Sequence, residues 1–418
     1  NVVMAALASG NHYLGSNLSN EGIWKSNDGG QTWSKTLDVN DAYDVLFHPT
    51  DPNLVYAGIG GMNSSSGFYI STDQGNSWTQ YNSGLHTPEL NSRMHIDISQ
   101  TNPNILYAII HQSGTLFMNG TSRAYKSTNA GTTWVQISPG VNLGGRWIYG
   151  WWDQGGYDLC IAVDPTDPDH VFIGNVELHE TSNGSNFAPK RQFGSYATYS
   201  LVHNDYHNLV FSKSNPNYLY IGCDGGVYLS TDGGNTAGSA GSRNTGLEIS
   251  QFYRVAAHQT NPDKIIGGLQ DNGTALTVDG GNNWNQVLHM DGMECFFDHT
   301  NPNNVYASAQ MGYLVKSTNG GLNFNFLFDV QGAWITPFFM HPTDNSTLYT
   351  ANKRVLRSTD GGNSFSQLTT TDEHALISSM DQSKVNPDIM VFVTGMGDSP
   401  TGMDTVITVK VSTDEGYN

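Results

Sequence analysis

The octet S-N-D-G-G-Q-T-W at Ser26–Trp33 decides the fold, because variants of it recur along the whole chain. A close variant, S-T-D-G-G-N-S-F, occupies Ser358–Phe365, whereas the copy at Ser230–Ala237 has lost its closing aromatic residue. Successive copies start 40–56 residues apart. A repeat of that length is one supersecondary unit that cannot bury its faces alone, so the sequence predicts an array of such units. The remaining copies start at Ser71, Ser127, Glu180, Thr277, Ser317 and Ser412.

The composition of the octet indicates a turn that satisfies its own polar groups. The hydroxyl residue at its first position and the Asp or Asn at its third can bond backbone N–H groups of the same turn. Its glycines permit positive φ angles where the chain reverses. The closing Trp or Phe is expected to pack against the neighbouring sheet. Calcium binding or catalysis by the octet Asp residues is the alternative; we interpret them as structural and leave them out of the candidate sites.

A second repeat alternates with the first and consists of an apolar strand, an Asx-Pro turn and another apolar strand. It reads D-V-L-F-H-P-T-D-P-N-L-V-Y-A-G at Asp44–Gly58 and N-L-V-F-S-K-S-N-P-N-Y-L-Y-I-G at Asn208–Gly222. Proline marks the hairpin tip, because it cannot lie inside a central strand. Each unit thus contains strand A, the Asx-Pro turn, strand B, strand C, the octet turn and strand D. The predicted fold class is all-β, a β-propeller of about nine four-stranded antiparallel blades with the octet in each C–D turn.

The sequence pattern is incomplete at both ends. Residues 2–9 resemble a strand B without its strand A, and the last octet stops at Asn418 before any strand D. Because an open edge strand invites aggregation, we expect the chain to be part of a longer protein. The repeats fit a seven-bladed ring plus the start of a second ring, or one larger ring. Residues 1–370 are expected to form the propeller, and residues 371–418 a further blade, the start of a second propeller or the ring closure.

The charge balance excludes several classes of partner. The chain has 18 Lys and Arg residues against 37 Asp and Glu residues, which gives a net charge of −19. Such a surface argues against binding to nucleic acid or to anionic membranes. No apolar run approaches the length of a membrane span, so we expect no membrane insertion. The composition favours an extracellular or cell-surface protein, and nothing in the sequence calls for a cofactor.

Three cysteines, Cys160, Cys223 and Cys295, lie in or beside strand segments. An odd count without metal-ligand spacing predicts no disulfide framework. We therefore expect buried free thiols.

These repeats resemble the Asp-box (BNR-repeat) propellers over the full length of the chain. Three branches of that family are relevant: xyloglucanase-type glycosidases with two seven-bladed propellers, sortilin-type receptors with one ten-bladed ring, and sialidases. The stretches V-H-N-D-Y-H-N-L-V-F at 202–211 and G-L-Q-D-N-G-T at 268–274 are similar to secreted Bacteroidetes-type proteins described as glycosyl hydrolases. Sialidases need an arginine triad, and this chain has few arginines, so that branch is set aside. The Asp-box itself is specific for the fold and says little about activity.

One segment resembles the xyloglucanase-type enzymes more closely. C-D-G-G-V-Y at Cys223–Tyr228 is similar to the segment between strands B and C that carries their general acid or base, and is one residue shorter. The resemblance implies that Asp224 is a candidate acid or base. It also implies that a partner carboxylate would come from a second propeller domain of the same protein. A sortilin-type protein would instead bind a peptide inside its ring.

Alignment of the repeats singles out two aspartates. Asp224 lies six residues before the octet start Ser230, and Asp271 lies six residues before Thr277. These are equivalent positions at the start of strand C in consecutive blades. We take Asp224 and Asp271 as the candidate catalytic pair, since paired carboxylates perform acid–base work on glycosides.

Strand A adds histidines and further carboxylates at equal distances from the turn proline. An H-x-D pattern occurs in two blades, and His207 extends the first copy to H-x-D-x-H. Residues i, i+2 and i+4 of a strand share a face, so these side chains are expected to point together toward the mouth of the propeller. They are candidates for ligand binding, for a metal site of two His and one carboxylate, or for bonding exposed backbone at strand ends; no metal ligand is assigned. The ligand-binding candidates on strand A are His203, Asp205, His207, His289 and Asp291.

A long connection after the third octet is rich in aromatic residues. It reads N-L-G-G-R-W-I-Y-G-W-W-D-Q-G-G-Y and contributes Trp147, Tyr149, Trp151 and Trp152. Exposed aromatic rings can stack on sugar faces, and long loops often carry function. The alternative is that these rings cap the blades or dock a second propeller.

Together these patterns predict a secreted or cell-surface propeller that interacts with carbohydrate and is a candidate xyloglucanase-like glycoside hydrolase. The alternative is a non-catalytic binding or scaffold propeller with a protein or peptide ligand, as in sortilin-type receptors.

Overall fold

The computed structural model shows an all-β chain of nine antiparallel sheets, which confirms the predicted β-propeller blades. We number the sheets blade one to blade nine in chain order. The only helical element among the described residues is one 3-10 turn at Gln310–Gly312. The structure describes residues 2–8, 20–86, 91–112, 120–138, 143, 154–190, 202–236, 241–247, 249–369, 375–394 and 407–416.

The first compact unit, Asn1–Leu247, holds blades one to five. Blade one comprises β1 (Val3–Leu7), β2 (Gly22–Ser26) and β3 (Ser34–Leu37). Blades two and three comprise β4 (Ala42–Phe47), β5 (Val55–Ile59), β6 (Gly67–Ser71), β7 (Thr79–Gln80), β8 (Asn91–Ile98), β9 (Leu106–Gln112), β10 (Thr121–Ser127) and β11 (Val135–Ile137). Blades four and five comprise β12 (Cys160–Val163), β13 (Val171–Gly174), β14 (Leu178–Thr181), β15 (Ala188–Pro189), β16 (Tyr206–Phe211), β17 (Leu219–Cys223), β18 (Gly226–Ser230) and β19 (Gly241–Ser242).

The second compact unit, Glu248–Asn418, holds blades six to nine. Blades six and seven comprise β20 (Phe252–Ala257), β21 (Ile265–Leu269), β22 (Gly273–Thr277), β23 (Asn285–Leu288), β24 (Gly292–Phe297), β25 (Val305–Ala309), β26 (Tyr313–Ser317) and β27 (Asn325–Asp329). Blades eight and nine comprise β28 (Phe338–Met340), β29 (Leu348–Ala351), β30 (Val355–Ser358), β31 (Ser366–Gln367), β32 (Ile377–Gln382), β33 (Met390–Thr394) and β34 (Thr408–Ser412).

Strand order within each blade follows the chain, so the turns alternate between the two ends of a sheet. Seven blades have strands A to D, whereas three strands are described in blade one (B to D) and three in blade nine (A to C). The Asx-Pro and Asp-box turns lie at one end of a blade. The start of strand A and the B–C turn lie at the other end, which we call the B–C end.

The Asp-box turns are self-satisfied, as predicted. In the second box, Ser71 Oγ donates to Asp73 Oδ1 at 2.7 Å and accepts from the backbone N–H of Gly75 at 2.7 Å. Asp73 Oδ1 in turn accepts from the N–H of Ser77 at 2.8 Å. These hydrogen bonds lower the pKa of Asp73 to about 2, the bond from the Ser77 side chain contributing most. The box carboxylate is occupied by its own turn, which supports its structural interpretation.

The fourth Asp-box begins one residue later than the sequence predicted. Thr181, and not Glu180, takes the first position, because Thr181 Oγ1 donates to Asn183 Oδ1 at 3.0 Å as the serine does elsewhere. The box therefore runs from Thr181 to Phe187 and is one residue shorter than the octet. Glu180 instead accepts from His170 Nε2 at 2.8 Å.

The closing aromatic residue of a box packs on the preceding blade, as predicted. Trp134 of blade three is 3% exposed and meets the Phe68 ring of blade two edge-on at 4.9 Å. Phe365 of blade eight lies 5.1 Å from the Phe328 ring of blade seven. These two boxes therefore join their own turns to the core between two blades.

Polar groups also join neighbouring A strands within each unit. Asp44 Oδ2 of blade two accepts from the N–H of Ile96 in blade three at 2.7 Å. Asp97 Oδ2 of blade three accepts from the N–H of Val163 in blade four at 2.7 Å. Carboxylates on A strands therefore serve as structural acceptors between blades.

Strand A of several blades contains a β-bulge near its start. The pairing register shifts at Tyr43 in blade two, His207 in blade five, Tyr253 in blade six and Ser378 in blade nine. Each of these residues lies nine positions before the turn proline of its blade. A bulge leaves its extra residue unpaired and redirects the side chain, which makes it a common feature beside functional sites.

All three cysteines are buried free thiols, as predicted. No helix of the described residues has the length and apolar character required to cross a membrane.

We predict that Ser71→Ala lowers the free energy of unfolding by about 1–3 kcal/mol, because the buried N–H of Gly75 loses its acceptor. Chemical denaturation monitored by circular dichroism measures the change. Ser64→Ala, an exposed serine of the same blade, is the control and should leave stability unchanged. Equal stability of the Ser71 variant and wild type would show that the box hydroxyl is dispensable.

Candidate functional site

The candidate site lies at the B–C end of blade five, in the first unit. There the N–H of Asp224, at the β17–β18 turn, donates to the carbonyl of Asp205, just before β16, at 3.2 Å. Gly225 is required beside them, since a Cβ at that position would lie 2.3 Å from the Cβ of His203. These contacts bring His203, Asp205 and Asp224 to one place.

His207 and Asp224 form the accessible part of the site. His207 Nε2 lies 2.6 Å from Asp224 Oδ1, with side-chain exposures of 33% and 13%. His207 is the bulged residue of β16. The prediction that His203, Asp205 and His207 share a strand face is therefore wrong in its physical basis. His203 and Asp205 precede the strand, Asp205 has a left-handed φ of 61°, and the bulge sets the direction of His207.

A buried carboxyl group, Asp158, supports the site from blade four. Asn175, at the B–C turn of blade four, donates from Nδ2 to the carbonyl of Asp158 at 2.6 Å. Its own carbonyl accepts from the N–H of Tyr206 at 2.8 Å. Asn175 thereby fixes Asp158 beside the start of β16, where the Asp158 and Asp205 side chains are hydrogen-bonded to each other.

The protonation states of these carboxyl groups differ because their surroundings differ. Asp158 has no solvent exposure, and burial together with the charge of Asp205 raises its pKa far above its ordinary range. Burial and the charge of Asp224 also raise the pKa of Asp205, opposed by the nearby histidines. Asp158 is therefore a neutral donor to Asp205. The amide of Gln154 donates to both Asp158 and Asp205 in its favoured orientation.

An exposed aromatic ring adjoins this group. Tyr157 is 58% exposed, and its ring lies edge-on to His207 with centroids 5.0 Å apart. Arg93 holds the backbone behind it by donating to the carbonyls of Tyr157, Gly156 at 3.3 Å and Leu159 at 3.4 Å. The guanidinium also lies over the Tyr43 ring at 5.3 Å. The position of Tyr157 is thus built into the fold.

Sequence reasoning missed Gln154, Tyr157 and Asp158. Asp205 lies eleven residues before its turn proline, Pro216, whereas Asp158 lies ten before Pro168. β16 contains one extra residue at the bulge, and β12 pairs without a register shift. A count of eleven residues back from Pro168 therefore misses Asp158 by one position. Allowing for the bulge would have matched the two aspartates.

The candidates in the second unit are arranged differently. The N–H of Asp271 donates to Asp291 Oδ1 at 2.5 Å, and the N–H of Asp291 donates to Gln310 Oε1 at 3.0 Å. Asp291 thus caps the B–C turn of blade six. His289 lines a small cavity of about 30 Å³ with Met290 and Tyr313.

Asp271 is equivalent to Asp224 only when counted from strand C. In both blades, one N–H of the B–C turn donates to the carbonyl of the residue just before strand A. This N–H belongs to Asp224 in blade five but to Gln270 in blade six, where the acceptor is Gln251 at 3.1 Å. The blade-six turn is one residue longer, and Asp271 is the added residue with a φ of 60°. The predicted equivalence of Asp224 and Asp271 is thus wrong when positions are counted from the end of strand B. Asp224 lies in the first unit and Asp271 in the second, and their action as a catalytic pair stays a prediction.

Trp147, Tyr149, Trp151 and Trp152 lie outside the described residues. Within the described ranges, no three His, Cys, Asp or Glu side chains are grouped in a way that could hold a metal ion.

Comparisons with known proteins agree with the Asp-box fold. The family model Sortilin-Vps10 (Sortilin, neurotensin receptor 3) matches residues 21–149. No curated protein sequence matches the chain significantly.

One solved structure supports the fold at low sequence identity, and two further matches have lower TM-scores. An ancestral GH74 enzyme is 16% identical with a TM-score of 0.58, and the match covers 100% of this chain and 70% of that enzyme. The GH74 enzyme of Niastella koreensis is 15% identical with a TM-score of 0.43, over 95% of this chain and 65% of its own. A structure of YCF48 bound to D1 peptide is 14% identical with a TM-score of 0.32, over 77% and 90%. At these identities the similarity to the ancestral enzyme shows the fold alone.

We predict that Asp158→Asn makes stability less sensitive to rising pH. In the folded protein the pKa values of Asp158 and Asp205 lie above their ordinary value of 3.8. The folded state therefore binds more protons than the unfolded chain. Stability from this pair is therefore greatest at low pH and falls as the pH rises above about 4. The asparagine amide stays neutral and can still donate to Asp205.

Thermal unfolding between about pH 4 and pH 8 tests this linkage. The Tm of the variant relative to wild type should rise with pH. Asp38→Asn, a substitution at an exposed carboxylate of the same unit, serves as the control. Parallel pH profiles for Asp158→Asn and wild type would contradict a proton held at Asp158.

Proposed function

Because the chain is an Asp-box β-propeller, we propose that it is a secreted or cell-surface protein that binds a glycan at the B–C end of blade five. The observation that carries this proposal is the exposed Tyr157 ring beside the His207–Asp224 pair. Aromatic rings offer a flat apolar face for the carbon face of a sugar, and the adjacent charged groups bond its hydroxyls.

The chemistry of the site suits neutral hydroxyl groups. Asp224 can accept from sugar hydroxyls, and the half-exposed His207 ring can donate or accept according to its protonation state. Tyr157 supplies stacking area on a backbone segment that Arg93 already holds, so this segment need not be ordered when a ligand binds. The buried Asp158–Asp205 pair lies behind these groups and holds their geometry.

Hydrolysis of the glycan is a second candidate function, favoured by the different protonation states of the neighbouring Asp158 and Asp205 carboxyl groups. Neighbouring carboxyl groups held in different protonation states are the usual arrangement for general acid–base work. In a glycosidase the acid protonates the leaving-group oxygen while a second carboxylate acts as base or nucleophile. We assign the acid or base role to Asp224, which is accessible, and not to Asp158, which is fully buried. Asp271 stays the proposed partner carboxylate.

A peptide ligand is the alternative in the binding class, and the family match at residues 21–149 supports it. The net charge of −19 would favour a basic peptide over an acidic one. Glycan and basic-peptide ligands are therefore compared directly in the test.

We predict that Asp224→Asn and Tyr157→Ala each weaken binding of xyloglucan or β-glucan oligosaccharides. Loss of a charged hydrogen-bond acceptor should raise Kd about 10- to 100-fold. Isothermal titration calorimetry measures the affinity, and reducing-end release measures hydrolysis. Tyr218→Ala, at an exposed tyrosine in the A–B turn of the same blade, is the matched control and should bind normally.

Three outcomes separate the functions. Binding without product release supports the binding protein, and product release that disappears in Asp224→Asn with an unchanged Tm supports the hydrolase. Absence of glycan binding by wild type, together with binding of a basic peptide, would overturn the glycan proposal.

A further inference from the structure

An open polar cleft of about 420 Å³ lies at the B–C end of blade eight, in the second unit. Its volume is in the range of small-ligand sites, roughly 300–1,000 Å³. Its lining contains two adjacent cations, three amides and one aliphatic side chain. These residues are Gln331, Asn352, Lys353, Arg354, Gln367 and Leu376.

The turn that carries the two cations is fixed by its own hydrogen bonds. The N–H of Asn352 donates to the carbonyl of Arg354 at 3.0 Å, and the N–H of Arg354 donates to Asn352 Oδ1 at 3.0 Å. Asn352 Nδ2 also reaches the carbonyl of Val330 at 3.2 Å. The backbone beneath Lys353 and Arg354 is therefore rigid, so binding a ligand there does not require ordering of the turn.

The side chains around this turn are also positioned. The guanidinium of Arg354 donates to Gln367 Oε1, which holds it across the cleft. Gln331, with a φ of 55°, donates from Nε2 to Asp329 Oδ2 at 2.7 Å. Lys353 is exposed and Arg354 is half-buried. A guanidinium offers several fixed donors that match an oxyanion, and an ammonium adds a point charge.

The two cations of the lining contrast with the composition of the whole chain. Lys and Arg make up 18 of 418 residues, and the net charge is −19. Two consecutive cations therefore line one cleft of an acidic protein, and Asp329 lies beside them through its contact with Gln331.

We propose that this cleft binds the oxyanion of an acidic glycan, a uronate carboxylate or a sulfate ester, through Lys353 and Arg354. The polymer identity rests on the proposed glycan-binding function, whereas the anion site rests on the cleft itself. The amides of the lining and Leu376 are suited to the hydroxyl and carbon faces of the sugar ring that carries the anion. The site shares no residue with the group of Tyr157, His207 and Asp224, so its own side chains can be substituted independently of them.

The test compares three probes with the full chain: an oligogalacturonate, a dextran sulfate oligomer and inorganic sulfate. Isothermal titration calorimetry is run at low and high NaCl for wild type and for the variants Lys353→Gln and Arg354→Gln. Each substitution should weaken binding of the preferred polymer about tenfold or more, and added salt should weaken wild-type binding. Asp329→Asn should tighten binding about twofold, because it removes a neighbouring negative charge.

A control tests whether the cleft, and not the overall charge of the chain, binds the probes. Lys384→Gln, at an exposed lysine in the A–B turn of blade nine, should leave binding unchanged. A preference for oligogalacturonate or for dextran sulfate identifies the anion. Equal binding by wild type and by both cation variants, or absence of binding to all three probes, would overturn the inference. Neither result would bear on neutral-glycan binding at Tyr157.

Discussion

In eight of the nine Asp-boxes a glycine N–H donates to the hydroxyl of the first box residue, and this is the interaction on which the blades depend. It closes the C–D turn without help from other blades, as the Ser71–Gly75 bond shows at 2.7 Å. Because the turn is closed, its aromatic residue can be placed against the preceding blade, as Trp134 is against Phe68. The box thus places the aromatic residue of a local turn in contact with the preceding sheet. This is why such weakly charged, glycine-rich sequence repeats form a packed fold.

The end of the blade away from the boxes has different constraints. There the bulge of strand A and the B–C turn determine which side chains are presented, and neither is involved in closing the box. In blade five the bulge and the B–C turn bring His207, Asp205 and Asp224 together. Asp158 of blade four lies beside them. In blades six and seven the corresponding region is used for capping, since Asp291 accepts from the turn at Asp271. Similar residues at similar positions therefore serve different roles.

The fold could be predicted from the sequence because each blade repeats the same local signals, the Asp-box and the Asx-Pro turn. The candidate site could be predicted only in part. His203, Asp205, His207 and Asp224 were found by spacing, but the assumed strand face was replaced by a left-handed Asp205 and a bulged His207. Asp158 was missed because a bulge shifts the count by one residue. Its role depends on burial beside Asp205, a property of three-dimensional packing that no spacing encodes.

The shortened fourth box has a wider consequence. Its first hydroxyl and its Asx partner are retained at Thr181 and Asn183, although one residue of the octet is lost. Repeat units that accept length changes at one turn can be duplicated and altered without loss of the frame that neighbouring units require. For protein engineering, the Asp-box end of a blade is accordingly the part to keep, and the turns at the B–C end are the part that can be exchanged. Recognition loops could be transplanted at the B–C end while the opposite end maintains assembly.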